Sequence, residues 1–146
     1  MAKNGPLVIL EDDPEDRELM LQAIEELDLK NEVRFFSNAN DVLYFLMDTK
    51  ENPFLIISDI NLPAMDGLEL RRKINDSHYL HRKSIPFVFL TTSSLQEHVI
   101  RAYDLMVQGY FIKPDRMEDL VLLLRHMIDY WKTCQHPNTT YNFINF

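Results

Sequence analysis

Three runs of consecutive apolar residues mark the chain: Leu7–Leu10, Phe54–Ile57 and Pro86–Leu90. None alternates apolar with polar positions, as a strand with one wet face would. Short unbroken runs of this kind predict central strands of a parallel sheet covered on both faces. Two weaker runs, Val33–Phe36 and Tyr110–Ile112 after Gly109, predict further strands. Between the runs, apolar residues recur at helical spacing. Leu19, Met20, Ala23, Ile24 and Leu27 form one stripe, and Val42, Leu43, Phe45 and Leu46 a second. Leu68, Leu70, Arg71 and Ile74 follow Gly67, and Val99, Ala102, Tyr103 and Met106 form a fourth pattern. The fifth helix is predicted from about Met117 to Trp131, with Leu120, Leu123, Leu124, Met127 and Ile128 on its apolar face. The first helix has a marked start. Asp13 can cap it, Pro14 suits the first helical position, and Asp16 falls three residues after Asp13 in the acid-favouring first turn. Strand and helix alternate throughout, which predicts an α/β fold with a parallel sheet and helices on both faces.

Composition narrows the function classes. The 146 residues are 46% apolar and 26% charged, enough for one packed core. We place the domain at residues 5–131 and a C-terminal tail at 132–146. The tail is polar with Pro137 but carries Tyr141, Phe143, Ile144 and Phe146. Disorder, packing on the domain and a contact between subunits all stay open for it, and Trp131 shares the last two readings. The net charge of -8 argues against direct nucleic-acid binding, which wants clustered Lys and Arg. A single cysteine, Cys134, cannot form an internal disulfide or a cysteine zinc site. The first residues lack a signal-peptide layout and no apolar stretch reaches bilayer length, so the expectation is a cytoplasmic protein with no membrane contact.

In an open parallel sheet, ligands bind outside the carboxyl ends of the strands. The residues predicted there are Glu11, Asp12 and Asp13; Ser58 and Asp59; Thr91, Thr92, Ser93 and Ser94; and Lys113. A lone strand-end Asp is ordinarily a turn former or helix cap. Four strand ends supplying acids, hydroxyls and a lysine form a more telling set. Hard carboxylate oxygens hold Mg²⁺, a carboxylate can act as nucleophile, and Lys and hydroxyl groups neutralise phosphoryl oxygens. His78 and His81 sit beside Arg82 and Lys83 without an acid or cysteine, and read as a solvated loop.

The same residues carry a resemblance. Glu11-Asp12 directly after the first strand, the segment Asp59-Ile60-Asn61-Leu62-Pro63-Ala64-Met65-Asp66-Gly67, Thr91 after the fourth strand and Lys113-Pro114 after the fifth resemble the receiver domains of two-component response regulators. The likeness runs from about Leu7 to Trp131 and is to the single-domain, chemotaxis-regulator type. It implies a doubly wound, flavodoxin-like five-stranded parallel sheet of order 2-1-3-4-5. It implies that Asp59 accepts a phosphoryl group from a histidine kinase or phosphotransfer protein, in a phosphorelay, with Mg²⁺. By the same likeness Asp12 is a direct metal ligand, Glu11 an outer or water-mediated one, Asp59 itself a ligand, and Asn61 a ligand through its carbonyl. Thr91 is the hydroxyl that moves toward the phosphoryl group, Lys113 contacts that group, and Tyr110 is the switch aromatic. The Lys113–Pro114 peptide is expected to be cis. Asp13 is assigned to the helix cap.

The expected activity is limited to autophosphorylation from a donor and self-dephosphorylation, with output by contact with a downstream protein target; a homodimer stays open. Three departures qualify the likeness. Met106-Val107 stands where Gly-Ala is common, Thr92 where Ala or Ser is usual, and Glu11 where many members have Asp. A register shifted by one, with Thr92 as the switch hydroxyl, stays open. The alternative function is a receiver-fold interaction module that works without phosphorylation. A haloacid-dehalogenase-type phosphatase would want an Asp at Asn61. A flavodoxin-type cofactor binder would want a phosphate loop where Glu11-Asp12-Asp13 stands.

Overall fold

Residues 2–137 are described in a computed structural model of the chain. The strands are β1 (Leu7–Leu10), β2 (Val33–Phe36), β3 (Leu55–Ser58), β4 (Phe87–Thr91) and β5 (Gly109–Ile112). The helices are α1 (Pro14–Glu26), α2 (Ala39–Asp48), α3 (Gly67–Asp76), α4 (His78–Lys83), α5 (Gln96–Asp104) and α6 (Met117–Thr133). The sheet has the order β2-β1-β3-β4-β5, and every pairing is parallel. The expected doubly wound fold and strand order are therefore observed.

Two cores explain why the central strands are apolar at every position. Val8, Leu10, Ile56, Phe87 and Phe89 face Val42, Leu46, Leu68, Leu70, Ile74 and Ala102. Leu7, Ile9, Leu55, Ile57, Val88 and Leu90 face Met20, Ala23, Ile24, Leu124 and Met127 on the other side. Successive side chains of a strand point to opposite faces, so each strand supplies both layers. The outer strand β2 is only half-buried, which is why its pattern is weaker.

α1 starts as the sequence indicates, with Asp13 accepting from the Glu15 N–H at 2.9 Å and Pro14 at the first position. One element was not foreseen. His78–Lys83, expected as a loop, is a helix capped by Ser77, whose side chain accepts from the Leu80 N–H at 3.2 Å. Its buried Lys83 donates to the carbonyls of Leu46 at 3.3 Å and Thr49 at 3.5 Å, satisfying the end of α2. A charged heptad-free stretch gave no periodicity from which to read this. The end of α5 also answers an open point. Met106 adopts the left-handed conformation, φ 63°, without the glycine that favours it. Side chains hold the turn: Arg71 donates to the Leu105 and Met106 carbonyls at 3.1 and 3.0 Å, and Asn75 to Leu105 at 2.8 Å.

Beyond α6, His136 is buried, its ring near those of Phe54 and Trp131. Tyr141, Phe143, Ile144 and Phe146 lie outside the described residues. No helix among the described residues is long and apolar enough to cross a membrane.

Candidate functional site

The sheet's hydrogen bonding runs one residue past three strand ends. The Glu11 N–H donates to the Phe36 carbonyl at 3.0 Å, that of Asp59 to Leu10 at 3.1 Å, and that of Lys113 to Thr91 at 2.9 Å. The backbones of these three residues are thereby set at the carboxyl edge of the sheet. Their side chains converge. Lys113 Nζ lies 2.6 Å from Glu11 Oε2, 2.9 Å from Asp59 Oδ2 and 2.8 Å from Asp16 Oδ2.

Asp59 is held from two sides. Its Oδ1 accepts from the N–H groups of Ile60 at 2.7 Å and Asn61 at 3.3 Å, while Oδ2 accepts from Lys113. Thr91 is fully buried at the end of β4, and its hydroxyl accepts from the Ser93 N–H at 3.3 Å. Gly67 closes the back of the loop, its N–H donating to the Ile60 carbonyl at 2.8 Å.

The charges follow from this geometry. Burial alone would raise the Asp59 carboxyl; the nearby Thr91 hydroxyl and the hydrogen-bonded Lys113 ammonium outweigh it and hold the group below its usual range. Asp59 is therefore ionised at neutral pH. Glu11 goes the other way. Burial pushes it up to about 7, against the pull of Lys113. Burial also works against the Lys113 ammonium, but Asp16, Glu11 and Asp59 hold it above its ordinary value. One ammonium thus faces three acids, two of them almost wholly buried.

Of the residues expected from the sequence, Glu11, Asp59, Thr91 and Lys113 meet in one cluster. Asp12 is exposed and lines an adjoining groove with Pro14, Arg17, Phe35 and Ser37. Asn61 is exposed next to Asp59 and contributes its N–H to Oδ1. Tyr110 is half-buried against Phe89, and its hydroxyl donates to the Ser93 carbonyl at 2.7 Å. Of the two adjacent threonines, Thr91 is fully buried and Thr92 is exposed. The Lys113–Pro114 peptide is not cis as the resemblance implied: no cis peptide occurs among the described residues. The two isomers of an X–Pro bond differ by only about 0.5–1 kcal/mol, so tertiary context decides between them.

The sequence reading missed Asp16 as a partner of Lys113, having used it for the helix dipole. A signal was present. Asp16 falls four residues before Met20 and seven before Ala23, on the face of α1 that turns inward.

Among the described residues no three His, Cys, Asp or Glu side chains are grouped as ligands of a single metal. Lys113 Nζ contacts one carboxylate oxygen each of Glu11 and Asp59. The donor chemistry nevertheless fits a hard divalent ion, because buried carboxylate oxygens outnumber the one positive charge among them.

Comparison with known proteins completes the picture. The family model described as the response regulator receiver domain matches residues 7–125. The response regulator Rcp1 of Synechocystis is 32% identical over 135 residues, covering 88% of this chain and 90% of that protein. The crystal structure of the phosphorylated cyanobacterial phytochrome response regulator RcpA superposes with a TM-score of 0.81 at 26% identity, covering 91% of this chain and 98% of that one. The Mn²⁺-bound form of Rcp1 gives a TM-score of 0.77 at 28% identity, over 90% of this chain and 98% of that one.

Proposed function

The chain belongs to the response regulator receiver domain family, and from that premise we propose that it is a phosphoryl-accepting switch with Asp59 as the acceptor. The observation that carries the reading is the state of Asp59. One carboxylate oxygen is pinned by two backbone N–H groups, and the other faces an ammonium and is held ionised. An ionised carboxylate needs no general base. One of its oxygens attacks the phosphorus of a phosphohistidine, or of a small phosphodonor. The bond from phosphorus to the donor atom breaks, that atom leaves with the electron pair, and an acyl phosphate forms on Asp59. Hydrolysis by water returns the carboxylate and inorganic phosphate.

Catalysis on this reading is mainly positioning and charge stabilisation. Lys113 and the Thr91 hydroxyl are the groups within reach of a phosphoryl oxygen on Asp59. Mg²⁺ would be held by Glu11, Asp12, Asp59 and the Asn61 carbonyl, and supplies the charge that lets an anionic donor approach the acids. The Mn²⁺-bound Rcp1 structure supports a divalent ion of this type. The domain is residues 5–131, followed by the 132–146 segment, and acts in the cytoplasm. The donor is a sensor histidine kinase or a phosphotransfer protein. Thr91, drawn toward the phosphoryl group, and Tyr110 carry the change to the α5–β5–α6 face, which contacts a protein target.

Fluorine NMR with beryllofluoride, a stable phosphoryl mimic, tests the proposal. A bound signal that requires both Mg²⁺ and Asp59, and vanishes in Asp59→Asn, is the expected result. A folded protein without that signal would make a phosphorylation-independent interaction module the better reading.

A further inference from the structure

We propose that Asp16 is a positioning residue for Lys113, anchoring its ammonium beside Asp59 while the other partners change. The inference rests on the phosphoryl-acceptor reading above. A lysine ammonium has three N–H donors. Lys113 directs them to Glu11 at 2.6 Å, Asp16 at 2.8 Å and Asp59 at 2.9 Å. Two of those acceptors belong to the reacting centre. A cation bound at Glu11 competes with the ammonium for its oxygens, and phosphorylation converts the Asp59 carboxylate to an acyl phosphate. Asp16 is the one of the three partners that lies outside that centre, on α1.

Its place is fixed by the fold. α1 begins three residues after Glu11, and its start is set by the Asp13 cap and Pro14. Met20, Ala23 and Ile24 then seat the same helix in the core. Asp16 is therefore a short acid on a rigid element, whereas Lys113 has a flexible four-carbon stem that must be ordered to act. Space beside it makes the anchor matter. A cavity of about 210 Å³, lined by Asp16, Thr92, Lys113, Pro114 and Leu120, gives the freed ammonium somewhere to go. An opposing effect is repulsion between Asp16 and an anionic donor. Asp16 is paired with the ammonium and partly exposed to solvent, so its field is largely cancelled and screened. Positioning outweighs repulsion.

The test uses the whole chain with Mg²⁺ and acetyl phosphate as donor, following acyl phosphate formation by intact-protein mass spectrometry. Asp16→Asn is expected to slow the initial rate roughly three- to tenfold, the scale of a misplaced charge-assisted contact. Asp16→Glu should recover most of it. Glu15→Gln removes an equal charge from the same helical turn without touching Lys113, and should keep the parental rate. In the metal-free protein, the ¹⁵N–¹H signal of the Lys113 ammonium should broaden in Asp16→Asn and persist in Glu15→Gln. A parental rate in Asp16→Asn, a loss shared by Glu15→Gln, or an unchanged ammonium signal would each overturn the anchor. A parental chain that takes up no phosphoryl group overturns the acceptor reading, and the anchor with it.

Discussion

Gly67 lies directly behind Asp59. A Cβ built there would sit 2.3 Å from the Asp59 carbonyl oxygen and 2.8 Å from the Phe89 ring. The first neighbour is backbone and cannot swing aside. Gly67→Ala should therefore cost about 2–4 kcal/mol in denaturant unfolding, and weaken beryllofluoride binding by displacing Asp59. Glu11 makes a prediction with a sign. Burial raises its carboxyl from 4.5 to about 7. Between those values the folded chain binds more protons than the unfolded one, so folding is progressively disfavoured as pH rises through that window. Below it both states are protonated and the penalty vanishes; above it the penalty is complete. In chelator, Glu11→Gln should thus be neutral near pH 4 and stabilise by about 2–3 kcal/mol at pH 8, read from unfolding curves at both values.

At the scale of elements, the end of α5 is the informative place. Met106 holds a left-handed conformation that costs a non-glycine residue about 1–2 kcal/mol, and its side chain is exposed. Little packing is lost on removing it. Met106→Gly should raise stability by about 1 kcal/mol, measured as a shift of the urea midpoint at constant slope. The turn survives without glycine because Arg71 reaches it. Burial among apolar groups brings this guanidinium down to about 10, and its ring-like plane lies over Phe87. The sequence pattern put Arg71 on the inward face of α3 but not its task, since the carbonyls it satisfies lie 34 and 35 residues onward. The missed helix α4 has the same cause. Six residues cannot form a helix on propensity alone, and Lys83 is ordered by the carbonyls of α2.

At the scale of the molecule, short contacts join the site to a distant face. The Ser93 N–H donates to Thr91 Oγ1 at 3.3 Å, the Tyr110 hydroxyl to the Ser93 carbonyl at 2.7 Å, and Ser93 Oγ meets His98 Nδ1 of α5 at 2.6 Å. Thr91, Ser93, His98 and Tyr110 are thereby linked across β4, α5 and β5. Thr91→Ala should leave the beryllofluoride affinity within about threefold while abolishing most of the accompanying amide shifts in α5 and β5, because it cuts the link to Ser93 and leaves Asp59 and Lys113 in place. An equal response from both proteins would remove Thr91 from the pathway. The order of the five strands and of every helix but α4, their apolar faces and the carboxyl-edge position of Glu11, Asp59, Thr91 and Lys113 were legible in the chain, because they follow from local periodicity and from where each strand stops. The pairing of Lys113 with Asp16, the exposed position of Asp12, the trans Lys113–Pro114 bond and the left-handed Met106 were not. Each depends on groups far apart in the chain that meet only when the sheet is assembled, and at that range it is burial and charge balance, rather than propensity, that select the arrangement.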